Sequence, residues 1–533
     1  MAFGVPSESP AIIVKEVDLT GGVPNVQTTT GAFAGQFRWG PVGEATLVSN
    51  EASLASTFGA PNDAHARDYF TAAYFLKYTN SLYISRVAAG GLNGSDSGGT
   101  PVQIANKDAF DQGSWTGTVF ARYPGELGNS LQVVVAGPTT WTGWAADYKA
   151  QFDAAPTGTE RHVLVLDEDG VITGTAGTVL ERYPFVSSSS SATNADGSTN
   201  YEKEVINAAS RYIYVDAALD SDADLSITGG TDDTSPTTGE IQTAYDVFED
   251  KDTIQIDFLI AGGHNSSGTQ ETIVDDLVVT AGTTRKDCIV VTSPAYASVV
   301  TSATPVTDTV TDVANYTYSS YLVVDNNWLK VYDKFNDKYI WIPASSSTAG
   351  IMAASDANTA PWYSPAGARR GQYLGITKLA YTPTKSERDT LYKAGINPIA
   401  NLPGQGILLF GDKTHMNRPS AFDRINVRRL FLTMERAIAL AARNTLFEFN
   451  DEFTRAEFVG IVEPFLREIK GRRGITDFRV VCDDTNNTPA IIDRNEFVAN
   501  IFVKPARSIN YITLNFVAVR TGVDFEEVAG LQV

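Results

Sequence analysis

The sequence predicts a multidomain protein of mixed α+β and α/β class: an α/β middle part, a β-rich segment inserted into it, and a helix-plus-sheet C-terminal part. Three observations point there. At 533 residues the chain exceeds one ordinary core, so roughly two to four domains are expected. Strand-like and helix-like segments alternate in the first hundred residues and return from about 239 to 300, while 101–235 is strand-like and rich in turns. Beyond Pro419 the apolar spacing becomes helical for two long stretches before strands resume.

Residues 1–10 carry Gly4, Pro6 and Pro10 and read as extended and loosely held. Ala11 to Leu19 reads as a strand with no partner close in sequence. Such a strand either docks at home or is lent to a neighbour. Gly31 to Arg38 and Ala45 to Ser49 read as short strands around the turn Gly40-Pro41-Val42-Gly43. Asp63 to Tyr78 has helical spacing, and Ser81 to Val87 reads as a strand. Ala88 to Thr100, rich in Gly and Ser, marks a domain boundary. In the insert, Val119 to Tyr123, Ser130 to Ala136, His162 to Asp167 and Arg211 to Val215 are the expected strands. Ser187 to Ser191 and Thr193 to Thr199 read as an exposed loop.

The alternation then returns. Helices are expected over Ile241 to Glu249, Thr269 to Ala281 and Ser345 to Asp356. Strands are expected over Thr253 to Ile260, Asp287 to Thr292, Tyr318 to Asp325, Leu329 to Asp333 and Lys338 to Ile342, with one more inside Asn401 to Phe410. The first C-terminal helix is read from Ser420, as N-cap, to Asn444, a length of about 36 Å. The second starts near Asn450 or Thr454, where Thr454-Arg-Ala-Glu457 has the form of a capping box, and Gly471 and Gly474 stop it. Strands near Asp477 to Asp483, Glu496 to Lys504 and Tyr511 to Arg520 follow, and Thr521 to Val533 is a loose tail. The domains are therefore 1–20, an arm; 21–95 with 236–400, the α/β middle; 96–235, the insert; 401–520, the C-terminal domain; and 521–533, a second arm.

Composition excludes several function classes. The net charge of −21 opposes binding to nucleic acid, which needs Lys and Arg against phosphate. Charged residues make up only 19%, so the surface is rich in Ser, Thr, Asn and Gly. Cys288 and Cys482 are far apart and suggest a reducing compartment, not a disulfide framework. Met1 to Pro10 lacks a positive n-region and an apolar h-region, so no signal peptide is expected. No apolar run approaches the ~20 residues of a membrane helix.

Motifs for chemistry fail on inspection. Gly406 to Thr414 resembles a phosphate loop, but Asp412 separates Gly411 from Lys413 and the intervening residues are large and apolar. Asp220, Asp222 and Asp224 alternate as in a calcium loop, yet Leu225 and Thr231 stand where Gly and Glu are needed. His65, His162, His264 and His415 are scattered, with no zinc spacing. Gly262-Gly-His264 reads as a plain strand-to-helix turn. No Gly-x-Ser-x-Gly elbow occurs. Neither a catalytic residue nor a cofactor or metal site is expected. One pattern stands out: Arg429, Arg436 and Arg443 recur every seven residues on one helix face, with Arg424 and Arg428 beside them. This is either helix solvation or a basic face for an acidic partner.

Asp423-Arg-Ile-Asn-Val-Arg-Arg429, Asn487-Thr-Pro489, Ile492-Asp-Arg-Asn-Glu496 and Pro505-Ala-Arg-Ser-Ile-Asn-Tyr511 resemble the C-terminal domain of the sheath proteins of contractile phage tails. So does Pro361-Trp-Tyr-Ser-Pro-Ala-Gly367, and the segment from Ser9 to Glu16, Gly40-Pro41 and Phe58-Gly59 resemble that family's opening part. The resemblance covers roughly 9–95 and 355–533 and is nearest to the large-phage type with inserted outer domains. It implies an α/β sheath core and a subunit without enzymatic activity. Such subunits stack as hexameric rings around an inner tail tube and contract to drive it through the host envelope. Itself, the tube protein, and baseplate and terminator proteins are the implied partners. The subunit is made in the host cytoplasm and resides in the virion tail. Ile12, Ile13, Val14 and Val17 then belong to a strand exchanged between subunits, and Arg428, Arg429, Arg436 and Arg443 to a basic face turned to the tube. Two alternatives stay open: the sheath of a bacterial contractile injection system, and a glycan-binding virion protein using Trp115, Trp141 and Trp144.

Overall fold

A six-stranded sheet organises the middle of the molecule, in the order Leu322–Val324, Ile289–Thr292, Phe258–Ile260, Gly31–Gly35, Leu82–Arg86, Thr46–Val48. All neighbours are parallel except Thr46–Val48, which pairs antiparallel at one edge. The computed structural model describes residues 29–508 except Ser221, and Asn444 by its backbone alone. The arm strand Ala11 to Leu19 with Ile12, Ile13, Val14 and Val17, the strand Tyr511 to Arg520, and the segment after it all lie outside the described residues.

A parallel sheet needs both faces covered, and its strands supply apolar side chains to both. Phe33, Leu82, Ile84, Phe258, Ile260, Ile289 and Val291 enter one core with the helices Ala66–Phe75 and Ser345–Asn358. Ala32, Ala34, Leu259, Val290, Leu322 and Val324 enter the other, under Thr238–Asp246 and Ser267–Val279. The chain leaves this sheet after Leu82–Arg86 and returns at Phe258–Ile260. Between them a four-stranded antiparallel sheet, ordered Thr178–Ser187, Glu160–Asp167, Leu131–Ala136, Asp224–Ser226, forms its own core. Arg86 joins the two bodies. Its buried guanidinium donates to the carbonyls of Phe37, Gly40 and Pro124, which fixes the Gly40-Pro41 turn and the neck of the insert together.

Several expected elements shift. A capped helix, Glu51–Phe58, stands where only a strand was expected upstream; Asn50 accepts from the Ser53 N–H at 2.8 Å. The strand Thr178–Ser187 and the helix Glu202–Ala209 occupy insert sequence where no element is expected, apart from Ser187 at the start of the expected loop. The strand expected inside Asn401 to Phe410 is Gly406–Leu409, and it pairs in a hairpin with Ile399–Leu402. The first C-terminal helix runs Ile425–Ala442, so it starts later than Ser420 and is about 27 Å long. Ser420 instead accepts from the Phe422 N–H, and Thr414 donates to the Asp423 carbonyl, so tertiary contacts hold this stretch as a turn. The second helix is Glu452–Gly471, capped by Asp451, whose carboxylate accepts from the Thr454 N–H at 2.8 Å. Thr454 therefore lies inside the first turn and is not the cap.

Candidate assembly interface

In open α/β sheets, ligands bind beyond the carboxyl ends of the strands. Here that crevice is filled. Trp328 is fully buried there and donates from Nε1 to the Pro294 carbonyl. A Cβ on Gly263 would stand 2.4 Å from the Trp328 ring, so this loop is shaped by packing. Ser345, at the start of its helix, donates to the Ala261 carbonyl. Burial pushes the Asp325 carboxyl up to about 7, and it accepts from Asn327 N–H and Thr348 Oγ. Lys413, of the phosphate-loop lookalike, donates to the Tyr392 carbonyl. Among the described residues no three His, Cys, Asp or Glu side chains gather as a metal site, and no helix is long and apolar enough to cross a membrane.

The arginine stripe falls on one face, as its spacing predicts, but that face is turned into the subunit. Arg428 is buried between the Tyr321 and Phe422 rings and donates to Ser320 Oγ. Arg429 is buried, paired with Asp356, and donates to the Met352 carbonyl. Arg436 donates to Asp257 Oδ1 at 2.6 Å and to the Ile256 and Asp287 carbonyls at 2.7 and 2.9 Å. Burial opposes its charge, but Asp257 and Asp287 outweigh that and hold the guanidinium above its ordinary value. Arg443 is exposed, 3.4 Å from the equally exposed Asp252. The expectation of an outward basic face thus gives way to a clamp: the acidic partners are the chain's own Asp356, Asp257 and Asp287.

The carboxylates of this clamp have a second duty. Asp356 accepts from Thr29 Oγ at 2.8 Å, and Asp257 accepts from the Thr30 N–H at 2.9 Å. The root of the N-terminal segment and the C-terminal domain therefore share two acids. Burial pushes Asp356 up to about 6 even with Arg429 beside it.

In the C-terminal domain a two-stranded ribbon, Ile475–Val481 antiparallel to Asn500–Pro505, follows the long helices. Ile475, Phe478, Val480, Ile501 and Val503 pack one face of it on the Glu452–Gly471 helix. Among the described residues neither outer edge carries a further strand. The connecting turn is held by buried Asn487, which donates to the Val498 carbonyl and accepts from its N–H, both at 2.8 Å. Pro489 then opens the short helix Pro489–Ile492, which explains the Asn-Thr-Pro sequence. A second feature escaped the sequence reading. Leu446, Phe447, Phe449 and Phe453, at 62, 103, 85 and 78% exposure, cluster where the two long helices meet. Phe447 holds a φ of 71° as well. Exposed apolar patches of this kind mark interaction sites.

Among the described residues, a ribbon with no further strand on its edges and an exposed apolar turn suit contact with other chains. Comparison with known proteins agrees. Residues 235–415 match the model of the phage tail sheath protein central domain, and 417–518 that of the phage tail sheath C-terminal domain. The tail sheath proteins of Vibrio phage KVP40 and Enterobacteria phage T4 are each 30% identical to this chain, over 98% of it and 99% of their own length. The chain belongs to the tail sheath protein family of contractile phages. It is a structural protein and not an enzyme. The fold is similar to that of the sheath tail protein from Listeria innocua (TM-score 0.59, 12% identity, 91% of this chain and 93% of that one). It is similar too to the contracted sheath of an extracellular contractile injection system (TM-score 0.53, 13% identity, 98% and 100% covered).

Proposed function

We propose that the chain polymerises as stacked hexameric rings around the inner tail tube, and that this polymer contracts to drive the tube through the host envelope. The observation that carries the reading is the ribbon that, among the described residues, has no further strand on either edge, in a chain with strand-like sequence at 11–19 and 511–520. Each edge suits a strand lent by another subunit, with main-chain hydrogen bonds giving strength. Head-to-tail exchange of this kind is heterologous and generates open helices. The mesh stays bonded while the domains pivot around the arms. The extended polymer is metastable, and a baseplate signal releases it into a compact lattice with more buried interface. The tube protein, baseplate and terminator proteins are its partners, in a virion tail assembled after synthesis in the host cytoplasm. Of the arginine stripe, Arg443 alone is exposed for an acidic partner.

Relatives at 30% identity are phage proteins, whereas the injection-system sheath is 13% identical, which favours the phage setting. For the glycan reading, Trp141 packs on His162 and Trp144 stacks on Phe152, so these rings fill one another's faces. The test is negative-stain electron microscopy of the full chain beside one lacking residues 1–20. Striated hollow tubes lost with the arm support strand exchange. Tubes that persist without the arm refute it.

A further inference from the structure

The insert strands Leu131–Ala136 and Glu160–Asp167 pair antiparallel, yet 23 residues, Gly137 to Thr159, connect them where a hairpin takes about 2–5. The sheet they belong to is apolar on both faces. Val133, Val135, Val163 and Val165 enter the insert core, while Val134, Leu164 and Leu166 lie on the other face. The long connection crosses that second face as a strap, and its Trp144, Tyr148 and Phe152 cover the three aliphatic residues. His162 shares the face and is fully buried. Its ring stacks on Phe152, 4.1 Å between centroids, and meets Trp141 and Phe185 edge-on. The Phe185 N–H donates to Nδ1 at 3.2 Å, so the ring proton sits on Nε2, which donates to the Ala154 carbonyl at 2.8 Å. One neutral ring thus fastens the strap to Glu160–Asp167 and to Thr178–Ser187. The two strands slip register around His162, and Phe185 holds a φ of 53°, so the backbone is bent to present these two partners.

We propose that His162 is an acid-sensitive latch: protonation of its ring unfastens the strap 137–159 and bares Val134, Leu164 and Leu166. Both ring nitrogens are then donors, and the new Nδ1–H faces the Phe185 N–H. The charge also lies among aromatic rings, away from water. Burial holds the ring below the ordinary histidine value, although the Ala154 carbonyl and Glu160 favour the cation. Glu160, on the same strand as His162, accepts at Oε2 from the Thr157 N–H and hydroxyl. From Thr178–Ser187, Arg182 donates to the Gln151 carbonyl of the strap, and Glu181, opposite Val165 on the core face, accepts from Ser210 and Arg211. On the strap itself, Lys149 donates to the Thr142 carbonyl, and Asp147 and Asp153 are exposed. With its value lowered in the closed state, the ring contributes most to closure above about pH 6.5, and that contribution is lost as pH falls from there towards the lower value. The bared face is apolar, so acid turns a covered surface of the insert into an adhesive one.

The test is amide hydrogen exchange of the full chain beside His162→Gln, at about pH 7.5 and about pH 5.5, both above the isoelectric point of 4.6. Glutamine offers a donor to Ala154 and an acceptor to Phe185 but does not titrate. The ratio of wild-type to variant exchange cancels the intrinsic effect of pH. For the hydrogen-bonded strap amides of Trp144 and Lys149 to Phe152, that ratio should rise about tenfold at the lower pH, because the ring of the open strap, with a pKa of about 6.5, takes up its proton over this range. Gly31–Gly35 and Phe258–Ile260, in the middle sheet, should keep a constant ratio. A strap ratio indifferent to pH, or one that rises equally in the middle sheet, overturns the latch. A second measurement needs no variant, should His162→Gln not fold. Deuterium uptake at the imidazole C2–H of the wild-type chain, followed peptide by peptide against pH, gives the His162 titration directly. A midpoint below about 6.5 is expected, and a midpoint at or above it overturns the proposal.

Discussion

Replacing Arg436 by Met keeps the length and apolar stem of the side chain and deletes its charge. The structure sets the cost. Arg436 makes three hydrogen bonds, to Asp257 Oδ1, the Ile256 carbonyl and the Asp287 carbonyl. Breaking a buried pair by removing one partner costs about 3–5 kcal/mol, since the other charge stays behind. Asp257 and Asp287 are 25 and 19% exposed, so water recovers part of that. The lower end, about 3 kcal/mol, applies, and corresponds to about a hundredfold rise in opening of the clamp. Amide hydrogen exchange of the full chain reads it locally. Exchange should quicken in Ile425–Ala442 and in the ends of Phe258–Ile260 and Ile289–Thr292. The insert strands Leu131–Ala136 and Glu160–Asp167, with their own core, should not change. Unchanged protection of the helix would refute the clamp. Equal loss of protection everywhere would show that the C-terminal domain does not open separately.

Three further outcomes are expected. The Asp356 carboxyl, raised from 3.8 to about 6, favours the folded state most below pH 4, and that contribution is lost as pH rises through 6. About two units amount to about 3 kcal/mol, so Asp356→Asn should flatten the fall in denaturant midpoint between pH 4 and 7; an unaltered slope would assign it to other groups. Phe447→Gly removes an exposed apolar ring and relieves its positive φ, so it should stabilise the free subunit by about 1 kcal/mol while weakening assembly; normal polymer yield would show the patch is idle. Thr29→Val and Arg429→Met act on the same carboxylate, so a double-mutant cycle should give a coupling of about 0.5–3 kcal/mol in stability, and additivity would show that Asp356 links nothing.

Much of the fold was legible because periodicity reports burial. The strands of the parallel sheet and the two long helices were all visible in apolar spacing. Boundaries failed where local signals competed with distant ones. Ser420 and Thr454 have the chemistry of caps, yet a turn built on Thr414 and a cap at Asp451 prevail. The arginine face was legible as a face, since seven residues make nearly two turns. Its partner was not, because Asp356 and Asp257 lie 73 and 179 residues away in the chain. The Phe447 patch was invisible for a related reason: a phenylalanine in sequence looks the same whether covered or bare.

The clamp changes what the arginine stripe is for in this chain. A basic face turned outward would tie the C-terminal domain to something else; turned inward, it ties that domain to the middle sheet and to residues 29 and 30 at once. Those residues are where the N-terminal segment joins the body. If that segment is held by a neighbour, any load on it arrives at Thr29 and Thr30, and the first charged groups it meets are Asp356 and Asp257. The same two acids grip Arg429 and Arg436. A pull on the arm and a tilt of the C-terminal helix therefore bear on the same two carboxylates, through separate hydrogen bonds. Two buried ion pairs suit this task better than apolar packing, which would resist sliding less selectively: they hold firmly in one geometry and lose most of their strength outside it.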